Sequence, residues 1–116
     1  MCSDIDATQQ LGNYELRSAV TNGGQTYVGI RTDTGEATGP FTWINLTSHP
    51  GYPGRDVVCS ASINETNAFT GQPHPVHINV LTTTGLVYET TCTADPTGPT
   101  LTCDNNPWTE LVSPTP

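Results

Sequence analysis

The sequence predicts an all-β domain: a two-sheet antiparallel β-sandwich of immunoglobulin-like architecture, with a small closed β-barrel as the alternative. Three observations carry this. Apolar and polar residues alternate in short runs that recur every ~10–15 residues. Turn formers, including 11 Gly and 10 Pro, separate those runs. No dozen-residue window keeps a helical apolar period free of Gly or Pro, apart from a possible turn near residues 4–10.

The first expected strand covers residues 13–21, with Tyr14, Leu16 and Val20 on one face and Glu15, Arg17 and Thr21 on the other. Asn22-Gly23-Gly24 follows, and these residues accept the positive φ of a tight hairpin. The return strand is 25–31, with Val28 and Ile30 sharing a face. A turn-rich stretch at 33–40 leads to a strand at 41–47, where Phe41, Trp43 and Asn45 oppose Thr42, Ile44 and Leu46. Residues 48–55 (SHPGYPGR) hold too much Pro and Gly for a strand. Strand 56–63 is expected to turn Val57, Cys59, Ala61 and Ile63 inward, and 64–75 reads as a long polar loop. Strands at 76–83, 86–93 and 100–104 complete a set of seven. In the Pro-rich tail, Trp108 and Leu111 are placed to pin a last edge segment. One domain is expected over 1–112, with 113–116 a disordered tail or the start of a linker. Trp43 precedes Cys59, so the Cys–Trp–Cys order of antibody domains is not met.

The chain has 116 residues and an apolar share of 34%. That is low beside the usual ~45–50%, so a small core would gain from covalent staples. Its cysteines, Cys2, Cys59, Cys92 and Cys103, contain no C-x2-C pair, which argues against zinc. Cys92 and Cys103 flank a turn-rich segment and suit a hairpin disulfide, leaving Cys2 for Cys59. Such bridges point to a secreted or extracellular-surface protein. A second reading gives Cys2 a lipid anchor in a bacterial envelope. The sequons at Asn45 and Asn64 agree with secretion and glycosylation.

There is no Lys; three Arg stand against eleven acids, a formal charge of −8. Phosphate backbones and anionic membranes need clustered cations, so neither nucleic acid nor membrane insertion is expected. The partner is expected to be a protein or a carbohydrate, and the chain a monomer.

Catalytic motifs are weak. Asp33-Thr34-Gly35 matches the aspartic-protease triplet, but Arg31-Thr32 and Glu36 replace its usual apolar and small flanks. Asp56, Glu65 and Glu89 are candidates for a paired-carboxylate hydrolase. His74 and His77, three apart on a strand or its approach, point to opposite faces and read as surface residues, with no metal or other cofactor expected. The expected role is therefore a non-catalytic binding domain of the host-interaction, antigen or effector type. A carbohydrate-binding or adhesion module is the alternative, and a small hydrolase stands behind both. Candidate contact residues are Tyr52, in the Pro-rigidified loop, with His49, Trp43 and Trp108.

Overall fold

A computed structural model describes residues 2–10, 12–66 and 73–114. The fold starts from the Asn-Gly-Gly hairpin. Asn22, Gly23 and Gly24 have φ of 52°, 79° and 81° and join β2 (Tyr14–Thr21) to β3 (Gln25–Thr32). Only Gly fits at 24, because a Cβ there would lie 1.9 Å from the Arg55 carbonyl oxygen. Around this hairpin, β1 (Asp4–Thr8) adds beside β2 and β4 (Thr42–Asn45) beside β3. The second sheet runs β5 (Val58–Glu65), β6 (His74–Thr82), β7 (Val87–Asp95) and β8 (Thr100–Thr102). A short β9 (Thr109–Glu110) also pairs with β7. Every pairing is antiparallel.

The result is a two-sheet sandwich and not a closed barrel. Apart from the short β9, which returns to β7, each sheet is a meander in chain order, whereas immunoglobulin sheets interleave strands from different parts of the chain. Period-two alternation fills the space between the sheets. Tyr14, Leu16, Val20, Val28 and Ile30 come from one inner face, and Ile63, Val76, Ile78, Val80 and Ala94 from the other. Leu46 and Trp108 join the same core. Burying each large aliphatic side chain contributes about 1.5–3 kcal/mol.

Both expected disulfides form. Cys92–Cys103 bridges the end of the β7–β8 hairpin, and Cys2–Cys59 ties the N-terminal segment to β5. Because the Cys2 sulfur is committed to Cys59, the lipid-anchor reading of Cys2 is corrected. Alongside that bridge, edge strand β1 lies against edge strand β5. Asp4 Oδ2 accepts from the Ala61 N–H (3.3 Å) and Asp6 Oδ2 from the Ile63 N–H (3.2 Å). Two carboxylates thus cover donors that an open sheet edge would expose.

Other expectations change here. Residues 4–8 form a strand rather than a helical turn. Their apolar side chains, Ile5 and Ala7, face solvent while Asp4 and Asp6 serve the seam, which inverts the usual alternation. Ala61 and Ile63 turn inward as expected, but a register shift between Val58 and Ser60 buries Val58 ahead of them in place of Val57 and Cys59, which are half-buried. His74 and Pro75 belong to β6 and not to a loop. Pro75 sits where the β5 ladder ends, and its carbonyl accepts the Thr66 N–H. Residues 67–72 of the expected polar loop lie outside the described residues. In the tail, the Ser113 hydroxyl accepts the Val87 N–H, so the chain is held one residue past the expected boundary; residues 115–116 also lie outside the described residues.

Candidate functional site

The outer face of the first sheet carries the most unusual surface. Alternation on β2 and β3 sends Glu15, Arg17, Ala19, Tyr27, Gly29 and Arg31 outward. The register sets Gly29 opposite both Arg17 and Trp43, and Tyr27 opposite Asn45. Having no side chain, Gly29 leaves a bare patch of backbone, and the Trp43 indole lies over it. A Cβ at 29 would stand 2.6 Å from the indole Cε3 and 2.9 Å from Cδ2. Trp43 nevertheless stays 43% exposed, the most exposed aromatic among the described large apolar residues. It stacks on Phe41 with ring centroids 5.1 Å apart.

The Arg17 and Arg31 guanidiniums stand over the Phe41 ring, 5.0 and 4.8 Å from its centroid. Glu15 neutralises them, with its Oε1 2.9 Å from Arg31 and 3.2 Å from Arg17. Asp33 lies 4.0 Å from Arg31. Two guanidiniums and two carboxylates therefore make this cluster electrically balanced in a chain of net charge −8. Beside it, Ala19, Thr21, Asn22, Tyr27 and Trp43 line a hollow of about 320 Å³.

Of the four expected contact residues, only Trp43 is exposed. Tyr52, expected as an exposed anchor, is turned inward: its hydroxyl bonds to the Gly24 carbonyl (2.8 Å) and the Thr26 hydroxyl (2.7 Å), and its ring meets Trp108 edge-on. Burial raises the Tyr52 phenol above its ordinary pKa. Arg55 donates to the carbonyls of Asn22 and Gly23. The Pro-Gly loop thus clamps the β2–β3 hairpin instead of offering a contact. His49 is buried, its Nδ1 bonding to the Asn106 carbonyl (2.9 Å). Trp108 is buried and donates from Nε1 to the Leu46 carbonyl (3.0 Å).

The catalytic candidates do not converge. Asp33-Thr34-Gly35 forms a polar turn in which Asp33 Oδ1 accepts the Gly35 N–H. Glu89 faces outward toward His77 (3.3 Å) and Asp56 is exposed in a loop, whereas Glu65 is buried. The surface reading of His74 is corrected too. His74, Glu65 and Tyr14 form a buried cluster, in which the Tyr14 hydroxyl donates to Glu65 Oε2 and His74 Nδ1 lies 3.1 Å from the same oxygen. Burial first, and the Glu65 carboxylate second, push the Tyr14 phenol well above its usual range. Among the described residues, no group of three or more His, Cys, Asp or Glu could hold a metal ion, and no helix is long and apolar enough to cross a membrane.

Sequence reasoning missed this triad and the Phe41–Arg17–Arg31 cluster. Propagating the register from the Asn-Gly-Gly turn would have set Arg17 opposite Gly29, and β4 would then have placed Trp43 beside it. No protein-family model, curated protein or solved structure matches this chain.

Proposed function

We propose that the chain is a secreted, non-catalytic binding domain whose contact surface is the outer face of the first sheet, centred on Trp43. The exposed indole carries this reading. A large aromatic left open on a rigid sheet forfeits burial that the core would have supplied, and such rings recur as anchors in interfaces because they bury much area at low entropic cost. Two disulfides suit the oxidising environment outside the cell, which supports secretion. The scattered carboxylates and the burial of Glu65 and His74 support a role without catalysis.

Glycosylation has different consequences at the two sequons. Asn64 lies on the second sheet, so a glycan there leaves the Trp43 face open. Asn45 shares the face of Trp43, and a glycan there would cover it.

The test is retention of labelled domain on immobilised extracellular material: fungal, plant and bacterial wall preparations, collagen, fibronectin and mammalian cell monolayers. At least one material is expected to retain the wild type, with retention falling about tenfold for Trp43→Ala. Retention on none, or retention unchanged by Trp43→Ala, overturns the reading.

A further inference from the structure

The geometry points to an uncharged saccharide as the ligand of the Trp43 hollow, an inference that rests on the binding role above. A pyranose ring has one face of C–H bonds and a rim of hydroxyls. It therefore asks for a flat apolar surface bordered by neutral donors and acceptors. Trp43 supplies the surface, held down by its contact with Gly29.

The rim comes from Thr21, Asn22 and Tyr27 in the hollow, with Asn45 and Gln25 beside it. Asn22 Nδ2 donates to the Tyr27 hydroxyl (3.2 Å), and the Asn45 amide donates to Gln25 Oε1 (2.7 Å). These contacts order the rim before a ligand arrives, which lowers the entropic cost of binding. At about 320 Å³ the hollow has the size of a small ligand site and suits a mono- or disaccharide.

Charge selects further. All five residues lining the hollow are neutral, and the neighbouring guanidiniums are held by Glu15 and Asp33. An anionic ligand would meet a chain of net charge −8, with Arg17 and Arg31 already held by carboxylates and Arg55 by the Asn22 and Gly23 carbonyls, and a cationic one would find no carboxylate among the residues lining the hollow. A neutral ring meets neither obstacle. Burying it against Trp43 desolvates no charge.

The experiment uses the disulfide-bonded chain from a host that adds no N-glycans. Cello-, chito-, manno- and xylo-oligosaccharides are titrated while tryptophan emission and calorimetric heat are recorded. At least one is expected to bind and to shield an exposed tryptophan from acrylamide. Its affinity should change less than about twofold between roughly 0.05 and 0.5 M NaCl, because no ion pair is involved. Trp43→Ala should weaken it about tenfold or more, Trp43→Tyr should restore part of the loss, and Leu81→Ala on the opposite sheet should leave it unchanged.

Binding that survives Trp43→Ala, or that falls tenfold with salt, overturns the assignment. If no oligosaccharide binds while collagen, fibronectin or cells still retain the domain through Trp43, the saccharide assignment fails and the binding role stands. If nothing is retained anywhere, both fall.

Discussion

The indole of Trp43 lies on the bare backbone of Gly29, its ring atoms within 3 Å of where a Cβ would stand. Strand glycines ordinarily weaken a sheet, so a glycine under an exposed aromatic is a positional choice. Gly29→Ala forces the indole up or aside. The mutant should stay folded, with midpoint changes within ~1 kcal/mol, because a gain in strand propensity offsets the displaced ring. Acrylamide should quench one tryptophan more strongly than in wild type while buried Trp108 keeps its protection. Unchanged quenching would mean that the ring does not rest there.

A second prediction concerns the β1–β5 seam. Asp4 and Asp6 accept the Ala61 and Ile63 N–H groups, which no strand partner takes. Replacing both by Ala should cost about 1–3 kcal/mol in urea unfolding and raise light scattering at high concentration, since the β5 edge becomes a template for pairing. Asp→Asn at both sites keeps an acceptor oxygen and should recover most of the loss. Equal damage from Ala and Asn would assign the effect to charge rather than to hydrogen bonding.

The Cys2–Cys59 bridge spans 57 residues and closes the same seam. Removing it by Cys2→Ser with Cys59→Ser should lower stability by about 3–4 kcal/mol in the chain-entropy account. Tm should fall by roughly 10–15 °C. A drop of a few degrees or less in calorimetry would show that Asp4 and Asp6 hold the seam without it.

The sequons give a fourth outcome. Produced in a glycosylating host, a chain carrying sugar at Asn45 should show its exposed tryptophan shielded from acrylamide and lose retention on whatever material binds the bare domain. Asn45→Gln from the same host should restore both. A glycan at Asn64 should change neither, because Asn64 lies on the other sheet. Glycoforms separated by mass and read side by side decide it.

How much of this was legible follows from where each signal lives. The β2–β3 hairpin is local: Asn22-Gly23-Gly24 announces the turn, and Tyr14, Leu16, Val28 and Ile30 alternate cleanly on either side. The disulfide partners are legible for the same reason, since Cys92 and Cys103 flank one turn and Cys2 and Cys59 remain. β1 is hidden because it buries no apolar face and is held instead by exposed aspartates whose partners lie on β5, far along the chain. Tyr52 misleads because a Pro-Gly loop resembles an exposed contact, while the groups that capture its hydroxyl, Gly24 and Thr26, come from a distant hairpin. Trp43 was legible as an aromatic, but its exposure depends on which strand it meets and on that strand offering a glycine.

Tyr14, Glu65 and His74 provide the last prediction, in which pH separates a buried polar cluster from ordinary packing. The Tyr14 hydroxyl donates to Glu65, and ionised phenolate beside that carboxylate would leave two negative groups in the core. The folded state therefore holds the Tyr14 proton more tightly than the unfolded chain, whose phenol titrates near pH ~10. A group with a raised folded pKa contributes its full stability below the unfolded value and loses it as pH climbs above. Stability should thus be flat with respect to Tyr14 from neutrality to about pH 9.5 and fall beyond about pH 10. Tyr14→Phe should be about 1–3 kcal/mol less stable at neutral pH, since Glu65 loses a buried donor. The same variant should decline less steeply in alkali, so the gap between the two proteins narrows as pH rises. Urea midpoints for both at pH about 7, 9.5 and 11 test this, and the paired comparison cancels alkaline effects common to both chains, such as ionisation of the other tyrosines. A gap that stays constant to pH about 11 would show that the Tyr14 proton is not held by Glu65, and that the cluster acts only by filling space.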